Sequence, residues 1–424
     1  MRLTRIGVAA VTAVTAAGLL TGCGSDSGEG GGKVNLKFQS LAFQPASVAA
    51  VQKIVQDWNT AHPDIQVEYS QGTWSSVHDQ LVTQFAGGTA PDIIHDEAAD
   101  ISGFIPQGYL ADISGDLAPE VKNSVPKELW DVVSAEGKTY AAPTLLQSYV
   151  VMANTDLLSK NGIEVPSGPS MSWDELQAMA KKATANGSFG VGWGLKSPTA
   201  PMMNLGLNFG GTYFTGTDRD AQVRVGDNEN QVPRRIHDMA YVDKSLAPTT
   251  LTQSGTDVLP GFYAGEFAMV VQGNYVAQQI AEQAPDSFKW TVLPPLSGSS
   301  ANQAANPQTL SVSQGSEHVK EATAFINYFM QADRLAAVGE GDWLIPATQE
   351  ARDVIMKATG GENGWKQTLD GARNLVAAPF QAVTNYPRWK DQIATPAFQQ
   401  YLADKISLPD LGKRLTEGWS QVNQ

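Results

Sequence analysis

The side chains able to do chemistry in this chain gather at a few loop positions. His95, Asp96, Glu97 and Asp100 crowd together just after the run Ala90-Pro91-Asp92-Ile93-Ile94. Carboxylates this close can accept hydrogen bonds from a polar molecule, balance a cation, or share general acid and base duties. Aromatic rings stand beside glycine or proline at several places: Phe43 with Gln44 before Pro45, Trp74 after Gly72, Tyr275 after Gly273-Asn274, Trp343 ahead of Pro346, and Tyr386 with Trp389 around Pro387. Rings supply an apolar platform, and acids and amides supply a rim of acceptors and donors. Together they suit a molecule with one apolar face and an edge of hydroxyl groups. Reaction-specific patterns are missing. The five histidines, at 62, 78, 95, 237 and 318, include no i, i+4 pair for a metal, and there is no GxSxG, HExxH or P-loop motif. Neither a metal nor a cofactor is expected.

These positions need a scaffold, and the patterning predicts one. Val34, Leu36 and Phe38 alternate with polar residues as a half-buried strand, and Ile65, Val67 and Tyr69 repeat the pattern. Between them Val48, Val51, Ile54, Val55 and Trp58 recur at helical spacing until His62-Pro63. A second helix runs through Val77, Leu81, Val82 and Phe85, with Ser75 or Ser76 as its cap and Gly87-Gly88 as its stop. A third short strand follows at Ile93-Ile94. This β-α-β-α-β order predicts a parallel sheet covered by helices. Later segments predict a strand-rich stretch over 140–158, a helix opened by the capping box Ser172 to Glu175, a hairpin over 212–226, strands at 266–272 and 290–295, a helix at 275–284, one long amphipathic helix through Val319, Phe325, Phe329 and Leu335, and a last helix capped by Ser407. Trp58, Trp173, Trp290 and Trp419 fall on these helix and strand patterns and are assigned to packing. Asp92 reads as structural, closing a turn before its strand.

Length and charge bound the whole. At 424 residues two domains are expected, and a net charge of −14 repels nucleic acid. The single cysteine excludes an internal disulfide and a cysteine zinc cluster. Arg2 and Arg5 precede an uncharged apolar run over 6–20, too short to span a bilayer as a mature helix, which ends in Leu20-Thr21-Gly22-Cys23. That ending resembles a bacterial lipobox, in which Cys23 becomes the lipid-bearing first residue. Residues 1–22 are then a signal peptide, and the Gly/Ser-rich 23–33 a flexible tether.

The order of segments resembles the extracellular solute-binding proteins of bacterial carbohydrate ABC importers, the branch that includes maltose-binding protein. The resemblance rests on Ala90-Pro91-Asp92-Ile93-Ile94 followed by Gly108-Tyr109-Leu110-Ala111-Asp112-Ile113, on Gly137-Lys138-Thr139-Tyr140-Ala141-Ala142-Pro143, on Asn154-Thr155-Asp156-Leu157-Leu158, on Ser172-Trp173-Asp174-Glu175-Leu176, and on FYAGEFAMVVQG over 262–273 with Val292-Leu293-Pro294-Pro295. It covers essentially all of the chain after the leader. It implies an α/β periplasmic-binding-protein type II fold, with two interleaved lobes joined by a three-crossing hinge and a ligand between them. One lobe is expected from residues 34–144 with 296–341, and the other from 149–289 with 345–424. The crossings are expected near 144–149, 289–295 and 343–348. By position, the resemblance adds Gln147 and Tyr149 at the first crossing, and Asn274 and Tyr275 at a turn where the family stacks a ring on its ligand. It also implies no enzymatic activity. The expected protein is a monomer on the extracytoplasmic face of the cell membrane, held there by its lipid, that hands a di- or oligosaccharide to the membrane subunits of a permease.

Two alternatives stay open on the residues alone. Paired carboxylates in a secreted chain also occur in glycoside hydrolases, although sequence does not fix their separation. A binding protein for another solute is the second. A phosphodiester calls for Lys or Arg, of which the candidate loops are nearly free. A polyamine calls for acids boxed by rings, which Asp96, Glu97 and Asp100 partly supply. A polyol is the third such solute.

Overall fold

The computed structural model describes residues 33–423 apart from 186, 218 and 219. The lipobox, Cys23 and nearly all of the expected tether lie outside the described residues. Among these, ten strands form the two main sheets: β1 (Val34–Ser40), β2 (Ile65–Gln71), β3 (Ile93–Glu97), β4 (Ala141–Leu146), β5 (Tyr149–Asn154), β6 (Phe189–Gly192), β7 (Phe267–Gly273), β8 (Trp290–Val292), β9 (Pro307–Val312) and β10 (Ile345–Pro346). The large sheet has the order β10-β4-β9-β3-β1-β2, and the small sheet β8-β5-β7-β6. β1 pairs in parallel with both β2 and β3, as the β-α-β-α-β reading predicts. β9 enters from far along the chain and lies antiparallel between β3 and β4. The expected mixed α/β architecture is present.

The helices that matter for the site and its support are α1 (Pro45–Ala61), α2 (Val77–Gly87), α3 (Ala98–Ile101), α4 (Trp173–Ala183), α5 (Thr199–Gly206), α6 (Val276–Gln283), α7 (Val319–Phe329), α8 (Ala332–Asp342) and α9 (Leu408–Val422). No helix among the described residues is long and apolar enough to cross a membrane. α1 starts with proline at its first turn, where the missing N–H costs nothing, and buries Val51, Ile54, Val55 and Trp58. α2 stops at Gly88, whose φ of 63° suits a residue without Cβ. Both capping boxes form at the expected serines, Ser172 with Glu175 and Ser407 with Asp410. The 212–226 hairpin forms with Phe214 opposite Val223. Phe38, Phe325 and Phe329 pack against one another under the large sheet, and Phe214, Trp389 and Trp419 form an edge-to-face cluster beyond the small one.

Two expectations are corrected. The long helix over 319–335 is two helices, because Gln331 takes an extended backbone as the cap of α8. The apolar stripe runs on across the corner since Phe325, Phe329 and Leu335 face one core. Ser76 occupies the cap of α2, but its hydroxyl bonds Thr73 rather than the helix. Leu296–Ser297 pairs with Met171–Ser172, outside the large sheet. Ile345–Pro346 pairs with β4 inside that sheet. The chain thus passes from the large sheet to the small one between Leu146 and Tyr149, re-enters the large sheet at Pro307 and leaves it after Pro346.

Candidate ligand-binding cleft

The strand ends of the two sheets face one cleft with two bays. The larger bay is a cavity of about 390 Å³ lined by Glu97, Gln147, Tyr149, Trp193, Gln272, Tyr275, Tyr386 and Lys390 among others. The smaller, about 300 Å³, is lined by Phe43, Trp74, Gln308 and Asp342, and shares Glu97, Gln147, Tyr275 and Asn306 with the larger. Pairing explains why these residues meet. Glu97 ends β3 directly opposite Gln308 of β9, and Tyr149 opens β5 opposite Gly273 of β7. Gln147 stands in the two-residue link between the sheets.

Glycines shape the walls. A Cβ on Gly194 would lie 2.2 Å from the Ser254 carbonyl oxygen, and one on Gly273 would lie 2.5 Å from the Tyr275 ring. Any side chain there would push the wall into the cavity or displace the ring.

The acids divide by environment. Asp96 is fully buried; its Oδ1 accepts from the Glu97 amide and its Oδ2 has no protein partner. Burial, with Asp100 and Glu97 nearby, raises its carboxyl well above the ordinary range. Glu97 faces the cleft. Burial and then the Asp100 charge push its carboxyl up to about 7, against the opposing pull of Lys390 and a hydrogen bond from Asn306. Asp100 itself pairs with Lys390 at 3.8 Å, and the surrounding carboxylates hold that ammonium above its usual range despite burial. Burial pushes up the Tyr149 and Tyr386 hydroxyls, so both are neutral donors.

Among the expected site residues, the structure brings Phe43, Trp74, Glu97, Gln147, Tyr149, Tyr275 and Tyr386 to the cleft. Seven others support it from behind or stand elsewhere. His95 is buried, accepting at Nδ1 from the Leu41 amide. That bond places the proton on Nε2, which donates to Gln308 Oε1 at 3.0 Å and so sets the Gln308 amide that lines the smaller bay. Burial lowers its pKa to about 4, so the ring is neutral. Gln44 is buried, and its backbone N–H donates to Asp342 Oδ1. Asp96 and Asp100 act through Glu97 and Lys390. Asn274 is wholly buried and ties two links together, accepting from the Ser148 amide and donating to the Trp343 carbonyl. Trp343 lines neither bay: its buried ring stacks on Trp365 at 4.3 Å and borders a different pocket, so it reads as packing rather than as a ligand platform. Trp389 is likewise core, with its Nε1 donating to the Leu415 carbonyl.

Several lining residues escaped the sequence reading: Trp193, Lys196, Gln272, Asn306, Gln308 and Lys390. Trp193 carried a signal, a ring between Gly192 and Gly194 like those beside Tyr275. The two lysines correct the expectation that the site is nearly free of cations.

Comparison with known proteins agrees with the geometry. The family model described as bacterial extracellular solute-binding protein matches residues 44–334. An "uncharacterized lipoprotein in oleD 5'region" of Streptomyces antibioticus is 42% identical over 398 residues, 93% of this chain and 88% of the relative. Among solved structures, a Listeria monocytogenes ABC substrate-binding protein in complex with cycloalternan aligns with a TM-score of 0.76 at 21% identity, over 92% of this chain and 98% of the other. Maltose-bound MalE3 of T. maritima aligns with a TM-score of 0.77 at 21% identity, over 92% and 99%.

Proposed function

Because the chain belongs to the bacterial extracellular solute-binding protein family, and so is a binding protein rather than an enzyme, we propose that it is the sugar receptor of an ABC importer. It takes a di- or oligosaccharide into the cleft between its sheets. The observation carrying this reading is the lining itself. Phe43, Trp74, Tyr275 and Tyr386 offer ring faces, and Gln147, Asn306, Gln308 and Glu97 offer a rim of amide and carboxyl groups around them. That is the surface complementary to pyranose rings, which are apolar above and hydroxylated at the edge. The structural neighbours bound to cycloalternan and maltose support it. A polyamine is disfavoured because, of the three acids on this loop, Asp96 is buried off the cavity and Asp100 is engaged by Lys390, leaving Glu97, itself under the pull of Lys390.

In this reading the halves built on the two sheets are lobes that close over the sugar, and the closed form delivers it to membrane permease subunits. The protein is held at the outer face of the membrane by a lipid on Cys23, in keeping with a relative named a lipoprotein. Thermal denaturation against a panel of disaccharides, maltooligosaccharides, polyols and polyamines tests the ligand class, since a ligand that binds only the folded state raises its stability in proportion to RT ln(1 + [L]/Kd). Stabilisation by saccharides is expected; stabilisation by a polyamine alone would refute the assignment. Loss of radiolabelled fatty acid from a Cys23→Ala variant tests the anchor.

A further inference from the structure

The larger bay is not evenly polar. At its small-sheet end two donors have no protein acceptor. Trp193 is 0% exposed and its Nε1 is unpartnered; Gln272 is 4% exposed and its Nε2 is unpartnered. Both line the bay. Burying a donor unpaired costs about 1–3 kcal/mol, so two at one place mark where an acceptor from outside belongs. Trp193 has little freedom to find another partner, because its ring packs near Trp173 and its own amide is bonded to Thr250.

Two further features share this wall. α5 begins at Thr199 after Pro198 with no side chain capping its first turn and no acid within it, and Ser197, Ala200 and Pro201 line the bay. Pro198 and Pro201 have no N–H, so the amides of this uncapped first turn are those of Thr199 and Ala200, which carry partial positive charge toward whatever faces them. Lys196 also lines the bay. It forms no ion pair among the described residues; Asp257, whose carboxyl is held low chiefly by hydrogen bonds from Ser254 and in lesser part by Lys196, does not line the cavity. The smaller bay is the reverse, with Glu97 and Asp342 beside Phe43 and Trp74 and no cation. In a chain of net charge −14, one end of the cleft has thus been kept rich in donors and the other acidic and aromatic.

We infer that the cleft binds its saccharide in one direction and that the saccharide carries an anionic group, held by Trp193 Nε1, Gln272 Nε2, Lys196 and the start of α5, while a neutral ring lies between Phe43 and Trp74. The inference rests on the sugar reading above and narrows it. A carboxylate satisfies both orphan donors with its oxygens and brings no proton needing an acceptor in return. A phosphate or sulfate ester offers the same acceptors, so the test separates these sources.

Isothermal titration of the folded protein with matched sets decides it: neutral disaccharides, the same disaccharides with a terminal uronate, and their 6-phosphates. An anionic member is expected to bind at least about tenfold more tightly than its neutral counterpart, and whichever anion gains more identifies the group. Lys196→Gln and Trp193→Phe should each erase most of that preference, the second without removing a ring. Equal or tighter binding of the neutral sugars would overturn the inference and leave the sugar reading intact. Binding of small carboxylic acids but of no saccharide would overturn the sugar reading while keeping the donor-rich end, and no binding by any probe would overturn both.

Discussion

Asn274 ties the link between β4 and β5 to the loop leading from α8 into β10, and its removal has a calculable cost. Its Oδ1 accepts from the Ser148 amide at 2.9 Å, its Nδ2 donates to the Trp343 carbonyl at 2.6 Å, and its own amide donates to the Ser148 carbonyl at 2.8 Å. Asn274→Ala keeps only the last. The Ser148 N–H and the Trp343 C=O are left without a partner, at about 1–3 kcal/mol each when buried. The residue is 0% exposed, so the small void is poorly reached by water, and a loss of about 3–4 kcal/mol is expected. Urea denaturation at constant slope measures it as a lower midpoint. Asn274→Asp retains the acceptor but faces the Trp343 carbonyl with a charge, and should lose at least as much. A cost below about 1 kcal/mol for the alanine variant would refute the argument, since the two groups would then be satisfied some other way.

Other expectations follow from the site. Glu97 has a folded pKa of about 7, above the ordinary 4.5. The folded state therefore holds more protons than the unfolded one between those values, and stability falls as pH rises through the window, by on the order of 2–3 kcal/mol. Glu97→Gln should flatten part of that decline and be the more stable protein at pH 8, measured by denaturation midpoints at pH 5 and 8; an unchanged slope would count against a buried, proton-sharing Glu97. Trp74→Ala should weaken saccharide binding by about 1 kcal/mol with little change in melting temperature, because its half-buried ring faces the smaller bay. Trp343→Ala should do the opposite, costing about 3–5 kcal/mol of stability through the lost stack on Trp365; weakened binding at unchanged stability would return it to the cleft. Ser172→Ala breaks a complete capping box and should cost about 1 kcal/mol by the same denaturation assay.

Much of the architecture could be read from periodicity because local rules and tertiary packing agreed. The alternation in β1 and β2, the stripe of α1 and the capping box of α4 each bury the face their pattern marks. The α7–α8 corner was invisible since both helices offer apolar residues to one core, so the stripe never breaks. At the site, Glu97 after a short strand and Tyr275 beside a glycine turn were legible from local pattern, whereas Gln147 and Tyr149 came only by position from the family resemblance. Trp343 misled because the same signal, a ring near proline in a link, also describes a ring that packs on Trp365. Lys390 and Gln308 reach the cleft only through long-range pairing, β9 against β3 and the 386–390 segment against α3. No local pattern records which distant residue a strand end will meet.

The place of β9 also constrains the order in which the molecule can be made. It fills the gap between β3 and β4, yet some 160 residues separate its start at Pro307 from the end of β4 at Leu146. A chain emerging amino end first presents β1, β2, β3 and β4 long before the strand that joins them exists. Until residue 312 is available, the facing edges of β3 and β4 stay open, and the sheet that organises half the molecule remains unsealed. For a protein that works outside the cell, this delay is useful. A long stretch of chain can stay loose enough to thread through a narrow channel, and the last strands to emerge are the ones that lock the fold on the far side.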